Sequence, residues 1–435
     1  MRGLIPALLF LQNYICSCIA YQVLSILPQQ ARVRSSTCNV QFKRSTSSSL
    51  FSSSTSRADE TYYSGMEAPI QTQSSAKSRV TLTRYLEEVV KENPEMQDMV
   101  SLIQGVKMAC KTISNLVNRA GLGSSADAER NDFTDGRYYS MRRLDQLSTI
   151  VLKNALKYTG KCEVVAPAKN SDVAQHRPGV LIAKSIDSNY VACLDPLDGS
   201  GNADASICTG TVFGVFEGKK EDESGDGNNK SSKNNGRPVD RTAELTDSVL
   251  QPARNMKAAG YVLYSSATVL VFALGDTVQG FTLDPQTNEF VLTHKNLTIP
   301  KRGTVYSCNE ANSEGWEQSF KDYLLALKTG TGESGKRYAH RYVGSMVGDI
   351  HRTLLYGGVF CYPPDSIAHP SGNLQLLYKI APMAFVLHKA GGLGIDGKQN
   401  LLDLRPETVH EKSPCYLGSP EDVTELQTYL NKNEE

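Results

Sequence analysis

Two aspartates, Asp195 and Asp198, are the residues whose type and spacing most clearly predict chemistry. They lie in the segment 195–202, DPLDGSGN, directly after an apolar run at 190–194. Two carboxylates at the end of a strand can face one small site, where they bind hard cations such as Mg²⁺. The glycines and Ser200 leave amide and hydroxyl donors for phosphate oxygens. The segment predicts metal-assisted hydrolysis of a phosphate ester, although the same residue types also build ordinary turns.

The elements that must position this motif are predicted from the spacing of apolar residues. Helical spacing predicts helices at 81–90, 96–117 and 144–158. Runs of β-branched and aromatic residues predict strands at 164–166, 180–186, 190–194, 207–217 and 290–293, and either strands or a buried helix–strand pair at 259–274 and 278–283. In a second unit, strands are predicted at 304–307 and 359–362 and helices at 316–327, 342–356 and 375–390. Alternating helices and strands predict a layered α/β protein.

Composition excludes several classes of function. The chain has 46 basic and 46 acidic residues, so no net charge favours a nucleic-acid partner. Its ten cysteines include no Cys-x-x-Cys pair and no zinc-binding spacing. We therefore expect reduced cysteines, most of them buried as small apolar residues.

Residues 1–78 have the composition of a targeting presequence followed by a linker. Residues 1–58 carry basic residues but no acid, their first apolar run is too short and broken to span a bilayer, and 45–56 is mostly Ser and Thr. Such a segment buries too little apolar surface to fold, so we expect disorder. The tandem resembles the bipartite signal and transit presequence of plastids with extra membranes. It predicts the chloroplast stroma, with no membrane attachment after processing; the secretory pathway or the cytoplasm is the alternative.

Segment 195–214, DPLDGSGNADASICTGTVFG, resembles the signature of the fructose-1,6-bisphosphatase family. Further similar segments follow in order at 251–266, 282–292, 341–356, 357–363, 381–392 and 417–423. The resemblance implies a layered α-β-α-β-α sugar phosphatase fold with two αβ halves, at 79–298 and 299–435. It implies hydrolysis of the 1-phosphate of fructose 1,6-bisphosphate, or of a related sugar bisphosphate, with Mg²⁺ as cofactor. It also implies a role in gluconeogenesis or the Calvin cycle, and a homotetramer or a hetero-oligomer with a paralogue.

The resemblance assigns roles to individual residues. It implies that catalysis and metal binding belong to Asp145, Asp195 and Asp198, and that the 1-phosphate is held by Gly199 and Ser200. Contacts to the 6-phosphate are implied for Asn309, Tyr342 and Tyr362, contacts to the 6-phosphate of a neighbouring subunit for Arg341, and contacts to the sugar for Gly344, Ser345 and Met346.

The chain departs from the family pattern at acidic positions. Pro167 and Ala168 stand where the family has two adjacent glutamates, and Lys379 stands where it has another metal-binding glutamate. These changes add about four units of positive charge, and each pair of unit charges a few ångströms apart contributes about 1–4 kcal/mol. We therefore expect a weakened magnesium site, unless Glu163 or Asp172 compensates. In place of one metal, the lysine would hold phosphate without activating water.

Other departures concern phosphate contacts and regulation. Asn373 replaces a lysine that binds the 6-phosphate, Asn312 replaces a phosphate-site tyrosine, and Gly201 replaces the second serine of the motif. The insertion at 218–240 lacks cysteine, and Asn189 replaces a lysine of the AMP site, so neither thiol switching through that loop nor AMP inhibition is expected. The alternatives are an impaired member that binds sugar phosphates or regulates an active paralogue, and a phosphatase for another substrate such as sedoheptulose 1,7-bisphosphate.

Overall fold

The computed structural model describes residues 79–120, 135–168, 181–182, 190–218 and 248–432, with the backbone alone at 135–142, 164, 181 and 182. The predictions for 1–78, for most of the insertion at 218–240, and for Asp172 and Asn189 lie outside the described residues. Within the described part of the chain, no helix is both long and apolar enough to cross a membrane.

The first half is an eight-stranded sheet with helices on one face. The helices are α1 (Leu82–Glu92), α2 (Gln97–Asn118) and α3 (Asp135–Thr159). The strands are β1 (Cys162–Pro167), β2 (Leu181–Ile182), β3 (Tyr190–Asp198), β4 (Thr209–Glu217), β5 (Met256–Tyr264), β6 (Thr268–Leu274), β7 (Thr277–Asp284) and β8 (Glu289–His294). Their order across the sheet is β2-β1-β3-β4-β5-β6-β7-β8. Within this sheet β1 and β3 pair in parallel, and the other described strand pairs are antiparallel.

The second half is built on a five-stranded mixed sheet of order β10-β9-β11-β15-β13. Its strands are β9 (Val305–Ser307), β10 (Ala339–His340), β11 (Val359–Tyr362), β13 (Leu393–Ile395) and β15 (Cys415–Gly418), and a separate two-stranded pair joins β12 (Leu374–Gln375) to β14 (Lys412–Ser413). The helices are α4 (Gln318–Thr329), α5 (Met346–Tyr356), α6 (Ala381–Lys389) and α7 (Pro420–Asn431).

Side chains that alternate along the strands build three cores. On β4, Phe213 joins the core beneath α1, α2 and α3, whereas its neighbour Val212 joins the core that contains α5 and α6. The second core also receives Phe360 from the five-stranded sheet, and the far face of that sheet packs on α4 and α7 through a third core. The layers therefore follow the order α-β-α-β-α, as the resemblance predicts.

For segments 259–274 and 278–283 the structure confirms the first alternative, because both contain strands and no helix. Other predicted elements are wrong in their bounds or type. The helix predicted at 342–356 begins only at Met346, because Gly344 has a φ of 79° that a helix cannot contain. The long helix predicted at 375–390 is three elements: the strand β12, a π-helical turn (Leu376–Ile380) and α6. The prediction missed β10, β12, β13, β14, β15 and α7, most of which are short.

The described cysteines agree with the expectation of reduced thiols. Seven are free, and six of these are buried; Cys208 is half-buried. Burial raises the pKa of the Cys193 thiol to about 12, so it remains protonated at neutral pH.

Candidate active site

The two aspartates of the signature lie within a strand rather than in the turn that follows it. Asp195 pairs with Val212 and Asp198 with Gly210, and an irregularity in the register separates the two pairs. This bulge lets two carboxylates of one strand serve one site. The carbonyl oxygen of Pro196, between them, accepts a hydrogen bond of 2.8 Å from Thr211 Oγ1, which fixes the bulged segment on β4.

Lys379 joins the two aspartates. Its Nζ lies 3.0 Å from Asp195 Oδ2 and 2.6 Å from Asp198 Oδ1. Both carboxylates are buried, and the lysine side chain is 17% exposed. The contact to Asp195 is an ion pair outside hydrogen-bond geometry, whereas the contact to Asp198 is a hydrogen bond.

Electrostatics keep Lys379 and Asp198 ionised. Burial opposes the charge on Asp198, but the Lys379 ammonium, together with hydrogen bonds to the carboxylate, holds the pKa of that carboxyl below its usual value. For Lys379, burial again opposes the charge, and the attraction of Asp195 and Asp198 outweighs it, so the lysine pKa lies above its usual value. Lys379 and Asp198 are therefore charged at neutral pH.

Asp198 is also oriented by the start of α5. Its Oδ2 accepts hydrogen bonds from Ser345 Oγ at 3.2 Å and from the Val347 backbone N–H at 3.3 Å. Ser345 is the N-cap residue of α5, and Val347 lies in its first turn, where N–H groups have no partner within the helix itself. The start of this helix thus ties the strand β3 of the first half to the second half of the chain.

Asp145 and the glycine-rich loop form the next part of the site. Ser200 Oγ donates a 3.0 Å hydrogen bond to Asp145 Oδ2, which links the loop to α3. Gly199 has a φ of 68°, and a Cβ on it would lie 3.1 Å from the Ser345 Cβ. The Asn202 side chain closes the loop by donating to the Gly344 carbonyl oxygen at 3.3 Å. The three predicted aspartates and the loop 199–202 therefore belong to one cluster of linked residues.

The acids that remain fit one divalent cation. Asp195 Oδ1 is buried and accepts no hydrogen bond from the described residues, so it is available as a metal ligand. Asp145 and Asp198 add further carboxylate oxygens. The positions of the expected pair of glutamates contribute no carboxylate, because they are occupied by Pro167 and Ala168. Ala168 is buried in the core, and its N–H donates to Leu194 O at 2.8 Å. Lys379 already binds one oxygen of each aspartate of the signature.

The second half of the chain brings some of the predicted contacts for the 6-phosphate and the sugar near Asp198, namely Tyr342, Tyr362, Gly344 and Ser345. Burial raises the pKa of Tyr342 to about 12, with Tyr362, Asp349 and Asp198 as further causes, so these groups lie near one another. Asn309 begins the 3₁₀-helical turn Glu310–Gly315. Arg341 is exposed, and its Nη1 donates to the His340 carbonyl oxygen at 3.0 Å. Met346 is buried in the core.

Two polar residues near these predicted contacts were not predicted from the sequence. Asp349 is buried and accepts hydrogen bonds from the Val343 N–H at 3.2 and 3.1 Å, so it shapes the segment that precedes α5. An acid in the first turn of a helix was the available signal. Asn373 stands at the position where a lysine was expected. Lys412 on β14 donates a hydrogen bond of 2.8 Å to its Oδ1. No local pattern predicts this contact, because the two residues are far apart in sequence.

Comparisons with known proteins agree with this architecture. The family model described as "Fructose-1-6-bisphosphatase, N-terminal domain" matches residues 80–295, and the model of the C-terminal domain matches residues 299–431. The chain is 39% identical to the chloroplastic fructose-1,6-bisphosphatase of Pisum sativum over 81% of its length and 83% of the relative. It is 38% identical to the cytosolic enzyme of Oryza coarctata over 80% of its length and 93% of the relative.

A solved structure shows the same fold. The crystal structure of Leishmania major fructose-1,6-bisphosphatase in holo form has a TM-score of 0.67 and 33% identity, over 81% of this chain and 99% of that one. These matches favour hydrolysis over the alternative of an impaired regulatory member. The family uses a divalent metal ion and acts on a sugar bisphosphate. The chain belongs to the fructose-1,6-bisphosphatase family, the phosphoric monoester hydrolases that convert fructose 1,6-bisphosphate to fructose 6-phosphate and phosphate.

Proposed function

We propose that this reaction takes place at the pocket formed by Asp145, Asp195, Asp198 and the loop at Gly199 and Ser200. The observation that carries the proposal is the contact of one ammonium with both aspartates of the signature, together with the hydrogen bond from Ser200 to Asp145. Paired carboxylates beside phosphate-binding donors are the groups that phosphate ester hydrolysis requires.

The three aspartates would hold Mg²⁺. The ion would supply Lewis acidity for the attacked phosphate and would lower the pKa of a bound water. Asp145 orients the attacking water, and the hydrogen bond from Ser200 Oγ keeps its carboxylate in position. Ser345 and the Val347 N–H keep Asp198 from rotating. Water attacks the 1-phosphorus, and the bond from phosphorus to the sugar oxygen breaks; in the net reaction one proton of the water passes to the sugar oxygen and the other leaves with the inorganic phosphate.

The loop and the sugar pocket position the substrate. Gly199 and Ser200 hold the 1-phosphate, while Gly344, Ser345 and Met346 lie along the sugar. The 6-phosphate is bound by Asn309, Tyr342 and Tyr362. We add Lys412 to this group, because its ammonium lies 2.8 Å from Asn373 Oδ1 and is exposed. It would supply the positive charge that Asn373 lacks.

The assembly is proposed as a homotetramer in which Arg341 reaches the 6-phosphate of a neighbouring subunit. The exposure of Arg341 supports this role. Each chain would contribute two halves, at 79–298 and 299–435. A mass four times the 47.6 kDa of one unprocessed chain, measured by light scattering, would support the homotetramer. A complex found only with a second gene product would instead support the hetero-oligomer.

The compartment is proposed as the plastid stroma. The acid-free residues 1–58 and the chloroplastic relatives, such as those of Pisum sativum and Spinacia oleracea, support it. A fusion of residues 1–78 to a fluorescent protein tests it. Plastid fluorescence is expected, whereas secreted or cytoplasmic fluorescence would contradict the proposal.

The catalytic assignment is tested by phosphate release from fructose 1,6-bisphosphate by the purified full chain. Asp195→Asn removes a carboxylate charge with little change in shape and should lower kcat by about a hundredfold or more. Asp276→Asn is the matched control, because that acid is 95% exposed and pairs with Lys389 at the surface. Equal rates for the Asp195→Asn variant and the unmodified chain would overturn the assignment.

A further inference from the structure

We propose that Lys379 is a built-in cation, which takes the place of one divalent ion and binds an oxygen of the 1-phosphate through its ammonium. This inference rests on the proposed function of the pocket. It concerns the chain's own side chain, and it predicts that phosphate binds there even when no metal is present.

The position of the Lys379 ammonium supports this proposal. Nζ lies 3.0 Å from one carboxylate oxygen and 2.6 Å from another, and both carboxylates are buried. A Mg²⁺ ion lies about 2.0–2.1 Å from each oxygen that it binds. An ion bound to these same two oxygens would lie within van der Waals contact of the ammonium, and the two like charges would repel each other strongly. Lys379 thus excludes a metal from this position.

The backbone fixes the lysine in place. Lys379 lies in the π-helical turn Leu376–Ile380, between β12 and α6. Its neighbours Tyr378 and Ile380 are fully buried. Such turns are rare and occur frequently at functional sites. The side chain is therefore directed at the aspartates by packing on both sides, rather than by its own flexible stem.

The net charge of the side chains at the site also supports the proposal. The three carboxylates of Asp145, Asp195 and Asp198 and the one ammonium of Lys379 leave a net charge of minus two, which one divalent ion would neutralise. The resemblance implies three further acids, at Pro167, Ala168 and Lys379, and a site with six carboxylates would need several divalent ions. Pro167 and Ala168 are both buried, and neither carries a carboxylate. The lysine and the two apolar residues thus reduce the demand for metal together.

The number of hydrogen-bond donors on the Lys379 ammonium supports the binding of phosphate. An ammonium has three N–H groups; one donates to Asp198, and the charge of the ammonium also attracts the Asp195 carboxylate at 3.0 Å. At least one N–H therefore remains for a phosphate oxygen, and the lysine side chain is 17% exposed rather than fully buried. Lysine binds phosphate as a compact point charge, as it does in other phosphate-binding loops.

The test measures binding rather than turnover, with inorganic phosphate as the probe. Isothermal titration of the full chain in excess chelator should show phosphate binding. Lys379→Met keeps the stem but removes the charge, and it should weaken this binding about tenfold or more, as expected for one lost charge-assisted hydrogen bond. Lys389→Met is the matched control, since its ammonium binds Asp276 at the surface at 2.7 Å. Equal phosphate affinity for the Lys379→Met variant and the unmodified chain would overturn the proposal.

A second readout counts metal ions. Titration with Mn²⁺, followed by electron paramagnetic resonance, should find about one tight ion per unmodified chain and about two in Lys379→Glu, which restores a carboxylate. About two ions per unmodified chain, or no gain in Lys379→Glu, would contradict the proposal. The two failures are distinguishable. If turnover depends on Asp195 but phosphate binding does not depend on Lys379, this inference alone is wrong. If phosphate binding depends on Lys379 but the chain shows no turnover, the proposed function is wrong.

Discussion

The proposed 1-phosphate end of the site is buried and the proposed 6-phosphate end is open, and charge acts differently in the two places. At the buried end, Asp195, Asp198 and Lys379 are held by a bulged strand, the first turn of α5 and a π-helical turn. At the open end, Arg341 and Lys412 lie exposed to solvent. Unit charges interact more strongly in a protein interior than in water, where salt also screens them. A change of charge at the buried end therefore demands a nearby compensation, whereas the open end tolerates rearrangement.

Removing one member of the buried cluster should have the largest effect. Asp198→Ala leaves the Lys379 ammonium with Asp195 alone, and the loss of one partner from a buried ion pair costs about 3–5 kcal/mol. The free energy of unfolding, from urea titration of the full chain, checks this. Asp276→Ala, whose carboxylate is 95% exposed, should leave the titration unchanged. Equal losses in the two variants would remove the distinction between buried and exposed charge.

A glycine substitution sharpens the comparison through geometry instead of charge. Gly199→Ala adds a Cβ 3.1 Å from the Ser345 Cβ at a φ of 68°, so the phosphate loop must move. We expect kcat to fall about tenfold or more, since small misplacements of reacting groups are costly. Gly275→Ala is the matched control, because Gly275 has a similar φ of 63° but no atom near its added Cβ. If both variants lower kcat equally, backbone strain rather than contact with Ser345 is responsible.

The open end should respond more weakly. Lys412→Met removes the ammonium that binds Asn373 and should raise KM for fructose 1,6-bisphosphate about threefold to tenfold, more than it lowers kcat. Raising the salt concentration should shrink this difference, because the charge is exposed. Lys91→Met, an exposed lysine at the end of α1, is the control. A KM equal to that of the control would place Lys412 outside the substrate site.

Protonation of a half-buried histidine should have the smallest effect on stability. His351 on α5 shares a 2.8 Å hydrogen bond with Tyr261 on β5, and burial, together with His294, lowers its pKa from 6.5 to about 4. Between these two values the unfolded chain binds the proton and the folded chain does not. Stability should therefore fall as the pH drops from 6.5 towards 4. Thermal unfolding at several pH values should show a shallower fall for His351→Gln; parallel curves would contradict this.

Much of the fold was predictable because its largest elements have strong periodicity. The helices α1 and α2 and the strands β4 and β8 agree with their apolar patterns within a few residues. The errors occur where tertiary contacts determine the backbone. The positive φ of Gly344 delays α5, and the π-helical turn interrupts an otherwise helical pattern around Lys379. Short strands such as β13 have too few residues for a pattern of their own.

The candidate site was predictable in its residues but not in its contacts. The signature and its resemblance pointed to Asp145, Asp195, Asp198 and Lys379. The bridge from Lys379 to both aspartates depends on folding of the second half against the first, which no spacing within the signature encodes. The approach of Lys412 to Asn373 depends on the pairing of β12 with β14, and each of these strands has only two residues.

The most direct test of the central claim is the rate of phosphate release from fructose 1,6-bisphosphate by the full chain as the Mg²⁺ concentration is varied. If Lys379 replaces one ion and the remaining acids hold another, the rate should rise with about the first power of the Mg²⁺ concentration before it saturates. A dependence on about the second power, or no release at any concentration, would contradict the account.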